Sequence, residues 1–178
     1  RAAVGLGFVQ HQEVVAAAQR MGHLIDDILE LSRVSHLAMQ RESVDLGRLA
    51  AELLEEQRQS DPGHQVEAAI GDCGAAGDPR LLRILLQNLL ENAWKYSSKS
   101  PAPRIEFGCE HDQGEAVFFV RDNGVGFDMQ FAGKLFAPFQ RLHSPEEFEG
   151  SGVGLATVSR IVHRHGGRVW AEAAPGTG

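Results

Sequence analysis

The stretch that most constrains this chain is DPRLLRILLQNLLENAWKY, residues 78–96. Asp78 is a good N-cap, and Pro79 suits the first helical turn, where its missing N–H costs nothing. Seven apolar residues then recur at helical spacing: Leu81, Leu82, Leu85, Leu86, Leu89, Leu90 and Ala93. This spacing predicts a helix with a wide apolar face, and we expect the chain to be organised around it.

Three polar residues interrupt the apolar pattern of this helix. Asn88, Asn92 and Lys95 are four and three residues apart, so they stack on one side. Two amides and a cation on a mostly buried helix indicate a site for a metal–phosphate ligand. A solvated polar stripe would give the same pattern, and this helix alone does not separate the two interpretations.

Composition narrows the function classes. The 178 residues carry a formal net charge of -7 without any Lys/Arg cluster, so nucleic acid is not an expected partner. No apolar run approaches the roughly 20 residues of a membrane span, and we expect no membrane contact by this piece. Cys73 and Cys109 have no metal-ligand spacing and suggest no disulfide framework, which favours a reducing, cytoplasmic setting.

Upstream, the pattern predicts a helix over residues 11–39. A heptad seam runs along it through Val14, Ala17, Met21, Leu24, Ile28 and Leu31. A second apolar stripe consists of Val15, Ala18, Ile25 and Leu29. A helix with two stripes packs against more than one neighbour, so we expect a homodimer through residues 11–39. The alternative is a helix that lies on its own domain.

The remaining elements predict a mixed fold. In order they are a helix from the cap Asp45 to about Gln59, a strand at 66–70, a loop at 71–77, two hairpin strands at 104–110 and 116–121, an amphipathic helix at 153–162 that Gly166 stops, and a strand at 169–173. Strands joined by hairpins, with the helices grouped apart, predict an α+β sandwich.

Two glycine motifs could carry chemistry. DNGVGF, residues 122–127, follows a strand, where glycines let backbone approach a ligand and a carboxylate can accept from an exocyclic amine. GSGVGL, residues 150–155, opens a helix and could cradle phosphate on free N–H groups. Each motif alone is weak, because the first is ordinary turn chemistry and the second lacks a strand–helix–strand unit.

The order of the motifs is far more specific. NLLENAWKYS, DNGVGF, LFAPFQRLH, GSGVGLATV and PGTG follow one another in the chain. Together they resemble the ATP-binding domain of sensor histidine kinases, of the gyrase–chaperone–kinase–mismatch-repair ATPase superfamily, and most of all the phytochrome-type and related soluble kinases. The resemblance covers roughly residues 44–178, and AAAQRMGHLIDDILELSRVS resembles the second helix of the family's dimerisation hairpin.

This resemblance implies a fold and a function. The fold would be a two-layer α/β sandwich of Bergerat type over residues 41–178, preceded by part of a helical dimerisation and phosphotransfer segment over residues 1–40. The domain would bind ATP with Mg²⁺ and transfer the γ-phosphate to a histidine of the hairpin. A response-regulator receiver domain would then take the phosphoryl group on an aspartate.

The same resemblance assigns catalytic and phosphate roles. Asn92 would coordinate the Mg²⁺ that bridges the ATP phosphates, with Asn88 beside it. Lys95 would meet phosphate oxygens. Arg141 would reach the phosphates from beside the lid, which is the mobile stretch predicted at residues 142–152. The lid's end would wrap the triphosphate with the second glycine box: Gly150, Gly152, Gly154 and Leu155.

At the other end of the ligand, Tyr96 would flank the adenine. Asp122 would accept a hydrogen bond from the adenine amine, while Gly124 and Gly126 would allow close approach. The lid would be anchored by two aromatic residues, Phe136 and Phe139.

The chain departs from the family pattern in two places. The phosphoacceptor motif is absent, because His11 is followed by Gln and both His23 and His36 by Leu, so no histidine can be named as the phosphorylated one. The short distance from RAAVGLGFVQ to the second-helix segment predicts a break near residues 10 and 11. The sequence also stops inside the third glycine box, which implies that the last core strand is missing.

Three rival functions remain. Hydrolytic ATPases of the gyrase and chaperone branch use a glutamate base one turn before the Mg-binding Asn. Asn88 holds that place here, and Glu91 is turned about 100° away on the helix. A non-catalytic nucleotide-binding dimer module is the second rival. A serine-directed kinase of the same superfamily is the third, and the dimerisation helix argues against it.

Overall fold

A long helix leads into helices packed on a small sheet in the computed structural model, which describes residues 5–112, 114–144 and 147–178. The elements are α1 (Gly5–His36), β1 (Glu42–Asp45), α2 (Leu46–Ser60), β2 (Glu67–Ile70), β3 (Gly74–Gly77), α3 (Pro79–Ser97), β4 (Arg104–Asp112), β5 (Glu115–Asp122), a 3-10 helix (Met129–Lys134) and α4 (Gly154–His165). Residues 1–4 of the predicted first domain lie outside the described residues. No described helix has the length and apolar composition that a bilayer span requires.

Side-chain caps start the two helices that cover the sheet. The Asp45 carboxylate accepts the N–H of Arg48 at 2.8 Å, and α2 begins at Leu46 as predicted. Asp78 accepts the N–H groups of Arg80 and Leu81 at 3.0 and 3.3 Å, and α3 begins at Pro79. These bonds satisfy N–H groups that the first helical turn leaves without a partner.

The main sheet has the strand order β2–β4–β5. β2 is parallel to β4, and β4 is antiparallel to β5 with Ile105 opposite Asp122, which confirms the predicted hairpin. Helices α2 and α3 pack on one face of this sheet around a core that includes Leu54, Leu90 and Phe107. The result confirms the two-layer α/β sandwich, because one helical layer and one sheet share a single core.

Two expectations about strands were wrong. Residues 74–77, inside the predicted loop at 71–77, form β3 and pair antiparallel with β1; ESVD and GAAG carry no apolar alternation that would indicate these strands. Residues 169–173 alternate as a strand should, yet they have no regular structure. An alternating segment becomes a strand only beside a partner, and no strand pairs with it within the described residues.

Helix α1 differs from its prediction at both ends. It runs from Gly5 to His36, whereas the pattern predicts a helix over residues 11–39. The break near residues 10 and 11 stays a prediction. Half of the predicted seam is exposed, namely Val14 at 66%, Met21 at 59% and Ile28 at 45%.

The C-terminal end of α1 packs on α3 and α4. Val34 is fully buried against Leu81 and Ile161, which belong to α3 and α4. The Arg164 guanidinium donates to the carbonyl groups of Val34 and Leu37, the last turn of α1. The alternative of a helix lying on its own domain is therefore correct for this end alone.

A buried aspartate fastens the segment that follows α1. Asp78 is 0% exposed, and its Oδ2 accepts the backbone N–H of Gln40 at 2.9 Å. The backbone N–H of Asp78 donates to Nε2 of His165 at 3.1 Å. Arg80 donates to the same carboxylate at 3.0 Å, so Asp78 joins the linker after α1 to the start of α3 and the end of α4.

Candidate functional site

The polar residues of α3 meet the glycine-rich start of α4. The amide nitrogen of Asn88 donates to the carbonyl of Ile84 at 2.9 Å, which fixes its side chain. Its Oδ1 would lie only 2.4 Å from a Cβ built on Gly154. Glycine at 154 therefore lets the N-terminus of α4 approach the helix that carries Asn92 and Lys95.

The start of α4 presents uncapped donors. Val153 stands at its N-cap without a side-chain hydrogen bond, so among the described residues the first N–H groups of the helix have no intrahelical or capping partner. A Cβ on Gly150 would lie 3.3 Å from the Lys95 ammonium, which places that cation beside the same loop. Free N–H groups, a helix dipole and an ammonium group together favour an anion.

Electrostatics at Lys95 agree with an anion site. Burial lowers the pKa of Lys95, and the nearby Arg141 guanidinium lowers it further, against the opposite effect of Glu91 and Glu149. A second cation therefore stands close enough to disfavour the ammonium form. An anion bound between the two would relieve that repulsion.

Arg141 is already engaged by the lid itself. Its guanidinium donates to the carbonyl oxygen of Gly150 at 2.7 Å and to that of Phe148. Gly152 adopts φ 76°, and its carbonyl accepts the N–H of Phe139 at 2.9 Å. These bonds fold the lid back on itself, so Arg141 holds its two ends together.

Asp122 lies at the end of β5, as its motif predicted. Its Oδ1 accepts the N–H of Gly124 at 2.9 Å, and burial raises the pKa of the Asp122 carboxyl. A Cβ on Gly124 would stand 2.4 Å from the carbonyl oxygen of Tyr96, which in turn accepts the N–H of Val125 at 3.3 Å. This close approach ties the first glycine motif to the end of α3.

Gly126 adopts φ 56°, and a Cβ built on it would clash with the carbonyl oxygen of Ala174.

Sequence reasoning missed an aromatic cluster beside Tyr96. The Tyr96 ring lies 5.0 Å from Phe148, edge to face, and 5.3 Å from His143. Phe148 is 6% exposed, and Lys99 stands 4.4 Å above its ring while pairing with Glu147 at 3.5 Å. The available signal was a lone aromatic residue in a charged run immediately before the second glycine box.

The structure brings together most of the predicted site. On α3 and its neighbours it collects Asn88, Asn92, Lys95, Tyr96, Asp122, Gly124, Gly126, Arg141, Gly150, Gly152 and Gly154. Leu155 is half-buried in the first turn of α4.

The two predicted lid phenylalanines differ in position: Phe136 lies apart from this group, whereas the N–H of Phe139 donates to the carbonyl of Gly152. Phe136 lines a cavity of about 260 Å³ with Leu31 of α1 and with Pro138 and Ala156. It therefore faces the space between the lid, α1 and α4, away from the glycine-rich start of α4. Phe139 is 58% exposed and adopts φ 62°, a conformation that few residues other than glycine adopt.

The donor set suits a magnesium ion that arrives with phosphate. No three His, Cys, Asp or Glu side chains cluster as a metal site in the described part of the chain. Magnesium keeps several waters and needs only one or two protein oxygens besides phosphate. The half-buried Asn92 amide makes no side-chain hydrogen bond to another described residue, so its oxygen fits that requirement.

Comparison with known proteins gives a consistent result. A family model described as "Histidine kinase-, DNA gyrase B-, and HSP90-like ATPase" matches residues 77–178. Cyanobacterial phytochrome A of Nostoc sp. is 37% identical over 166 residues, which cover 92% of this chain and 21% of the phytochrome. The methanogenesis regulatory histidine kinase FilI of Methanothrix harundinacea is 39% identical over 168 residues, 91% of this chain and 18% of FilI. The chain thus spans about a fifth of these relatives' length.

Solved structures share the fold. The mycobacterial sensor histidine kinase MprB aligns with TM-score 0.59 and 30% identity over 71% of this chain and 81% of that one. Full-length ShkA in complex with AMPPNP aligns with TM-score 0.70 over 94% of this chain and 37% of its own. At 23% identity, this second match supports the fold alone.

Proposed function

Because this chain belongs to the histidine kinase-, DNA gyrase B- and HSP90-like ATPase family, we propose that it is the catalytic part of a sensor histidine kinase. It binds ATP with Mg²⁺ and transfers the γ-phosphate to a histidine on the dimerisation helices of a homodimer. An aspartate of a response-regulator receiver domain then accepts the phosphoryl group. The setting is reducing and cytoplasmic.

One observation carries this proposal: the glycine-rich start of α4 packs directly on the polar line of α3. Gly154 stands against Asn88 at a distance that a larger residue could not keep, and Gly150 lies beside the Lys95 ammonium group. Uncapped N–H groups, an ammonium group and an amide oxygen then face the same space, as binding of a metal triphosphate requires.

Each end of the nucleotide has its own residues in this proposal. Asn92 holds the magnesium ion, which when bound neutralises charge on the phosphates, and Lys95 binds phosphate oxygens. Asp122 accepts the adenine amine, and Tyr96 packs on the base. Arg141 keeps the lid folded so that its backbone can follow the triphosphate.

Transfer is favoured over hydrolysis by the side chain one turn before Asn92. Asn88 is an amide whose nitrogen is occupied by a helix carbonyl, and an amide cannot take a proton from water. Glu91 is exposed and accepts a hydrogen bond from Gln87 at 2.9 Å. Neither group can act as the general base of a hydrolytic ATPase.

The dimer in this proposal forms through residues 11–39. Met21, Ile25 and Ile28 are 59%, 58% and 45% exposed, an unusual share of apolar surface for one face of a helix. Pairing with a second copy would bury both stripes, as in a four-helix arrangement. The proposed division therefore keeps residues 1–40 as the dimerisation segment and 41–178 as the ATP-binding domain.

Calorimetry with ATP, GTP and adenosine, with and without Mg²⁺, tests the site. Asp122→Ala should weaken ATP and ADP alike by roughly 10- to 150-fold, since a hydrogen bond to a charged group is worth about 1.5–3 kcal/mol. It should also abolish the preference for adenine over guanine. Asn92→Ala should remove only the magnesium-dependent part of the affinity and leave adenosine binding intact.

Matched variants control for general damage. Asp128→Ala removes another aspartate that caps local backbone, and Gln87→Ala removes an exposed amide from α3, so both should bind like the parent. If Asp122→Ala and Asn92→Ala change all ligands identically, the two residues are structural and the assignment fails. A separately supplied hairpin bearing a phosphoacceptor histidine should become labelled from ATP, and no label despite ATP binding would favour the non-catalytic module.

A further inference from the structure

Two thiols meet on the sheet, away from the proposed nucleotide site. Cys73, between β2 and β3, is 3% exposed, and Cys109 on β4 is half-buried. Both side chains line one cavity, and Cys109 Sγ lies 3.9 Å from the carbonyl oxygen of Asp72, the residue before Cys73. The chain is held in this arrangement by the N–H of Gly71, which donates to the carbonyl of Phe107 at 2.8 Å.

The thiol pair is reachable from solvent on one side. A cavity of about 410 Å³ is lined by both cysteines and by Gly108 and Phe119. A space of this size admits a small organic thiol or disulfide. Because Cys109 is the more exposed of the two, an incoming reagent meets its sulfur first.

We propose that Cys73 and Cys109 are a modification site, which closes to a reversible intramolecular disulfide when the protein meets a small organic disulfide of the glutathione type. The Cys109 thiolate attacks one sulfur of the reagent and expels a thiolate, which leaves a mixed disulfide on Cys109. The Cys73 sulfur then attacks the Cys109 sulfur and expels the second thiolate. Two protein thiols and one small disulfide become one protein disulfide and two small thiols, which carry the two protons.

The second step is slow at neutral pH. In the reduced protein, burial, the neighbouring Cys109 thiol and the Asp72 charge raise the pKa of Cys73 to about 12. Glu106 and Glu110 also line the cavity, and their negative charges oppose a thiolate there. Since only the thiolate attacks, closure should become faster as the pH rises from neutral to mildly alkaline.

The modification should leave the proposed nucleotide site unchanged. Cys109 pairs with Phe118 across the hairpin, whereas Asp122 pairs with Ile105. Four residues along a strand separate the two positions by about 13 Å. ATP affinity should therefore differ less than twofold between the reduced and the closed protein, which keeps this inference independent of the function proposed above.

The test is oxidised glutathione, added to the folded protein at neutral and at mildly alkaline pH, followed by acid quench, thiol alkylation and intact mass. Wild type should lose both alkylatable thiols without retaining glutathione, faster at the higher pH. Cys73→Ser should stop at a glutathione adduct on Cys109, and Cys109→Ser should leave Cys73 reduced.

An equilibrium measurement excludes a general reactivity of the two thiols. The protein is equilibrated in a buffer of reduced and oxidised glutathione, and the ratio of the disulfide form to the dithiol form is measured. This ratio should be at least about tenfold greater for the folded protein than for the protein in denaturant, because folding raises the effective concentration of the two thiols. An equal or smaller ratio in the folded protein, or a wild-type reaction that ends at the adduct, would overturn the proposal.

Discussion

Replacing Asp78 by alanine should destabilise the protein far more than the loss of an ordinary helix cap. This carboxylate is fully buried and binds five donors: the N–H groups of Gln40, Arg80 and Leu81 and two guanidinium nitrogens of Arg80. Asp45 is the matched residue at the start of α2, since it is exposed and accepts only the N–H of Arg48.

The magnitude follows from these contacts. Loss of the cap costs about 1 kcal/mol. The N–H of Gln40 loses its acceptor in a part-buried place, which costs at most about 1–3 kcal/mol. The Arg80 side chain is 55% exposed and can return to water, so its ion pair adds only about 0–1 kcal/mol. The free energy of unfolding should therefore fall by about 2–5 kcal/mol for Asp78→Ala and by about 1 kcal/mol for Asp45→Ala.

Urea unfolding followed by circular dichroism measures both variants. With a slope of about 2 kcal/mol per molar urea, the midpoint should fall by about 1–2.5 M for Asp78→Ala and by about 0.5 M for Asp45→Ala. Equal shifts for the two variants, at unchanged slope, would refute the view that Asp78 joins the linker to α3.

The pH dependence of the free energy of unfolding gives a second check on the contribution of Asp78. The Arg80 guanidinium and the backbone N–H groups hold the pKa of Asp78 well below its usual range, although burial opposes this. A depressed carboxyl pKa stabilises the fold above the unfolded value of about 3.9 and loses that contribution as pH falls through the folded value. The difference between wild type and Asp78→Ala should be constant from neutral pH to about 5 and shrink only below about 4.

Three further predictions concern the proposed activity. With Mg²⁺, the protein should bind ATP but turn it over well below about 1 s⁻¹, since Asn88 replaces a base; faster steady-state phosphate release would contradict this. Ile28→Asp should convert a dimer to monomers at micromolar concentration by burying an unpaired charge, and sedimentation showing that parent and variant are both monomeric would exclude the seam. Since burial raises the pKa of Asp122, adenosine affinity should fall on acidification at a higher pH than an ordinary aspartate would give. Calorimetry of wild type against Asp122→Ala, whose affinity should not change over the same range, checks this.

The elements that sequence analysis predicted well are those whose local signals agree with their tertiary contacts. The run of leucines between Asp78 and Tyr96 has a helical period, a cap and a proline at its start, and the structure puts α3 there. The 104–121 hairpin has alternation on both sides of a turn. In these segments, burial and propensity favour the same conformation, so a single sequence is enough.

The features that were missed depend on partners elsewhere in the chain. ESVD and GAAG become strands only because each is the other's neighbour. Phe148 looks like a polar-loop residue until the lid folds over Tyr96. The reverse error occurred at residues 169–173, where alternation was present and no described strand lay beside it. The spacing of apolar residues carries no information about pairing between distant segments. The three features that were predicted wrongly or missed therefore lie in short or irregular segments.

Helix α4 connects the proposed phosphate site at one of its ends with the end of α1 at the other. Its first residue, Gly154, stands against Asn88 at the proposed phosphate site, and its last turn holds α1 through Arg164 and Asp78 through His165. Twelve helical residues span about 18 Å with little bending, so displacement at one end has to appear at the other or be absorbed by the lid. Arg141 also donates to the carbonyl of Gly150, four residues before α4 begins. The proposed nucleotide site and the end of the proposed dimerisation helix therefore share one rigid element, and neither can be altered independently of the contacts that α4 makes at its other end.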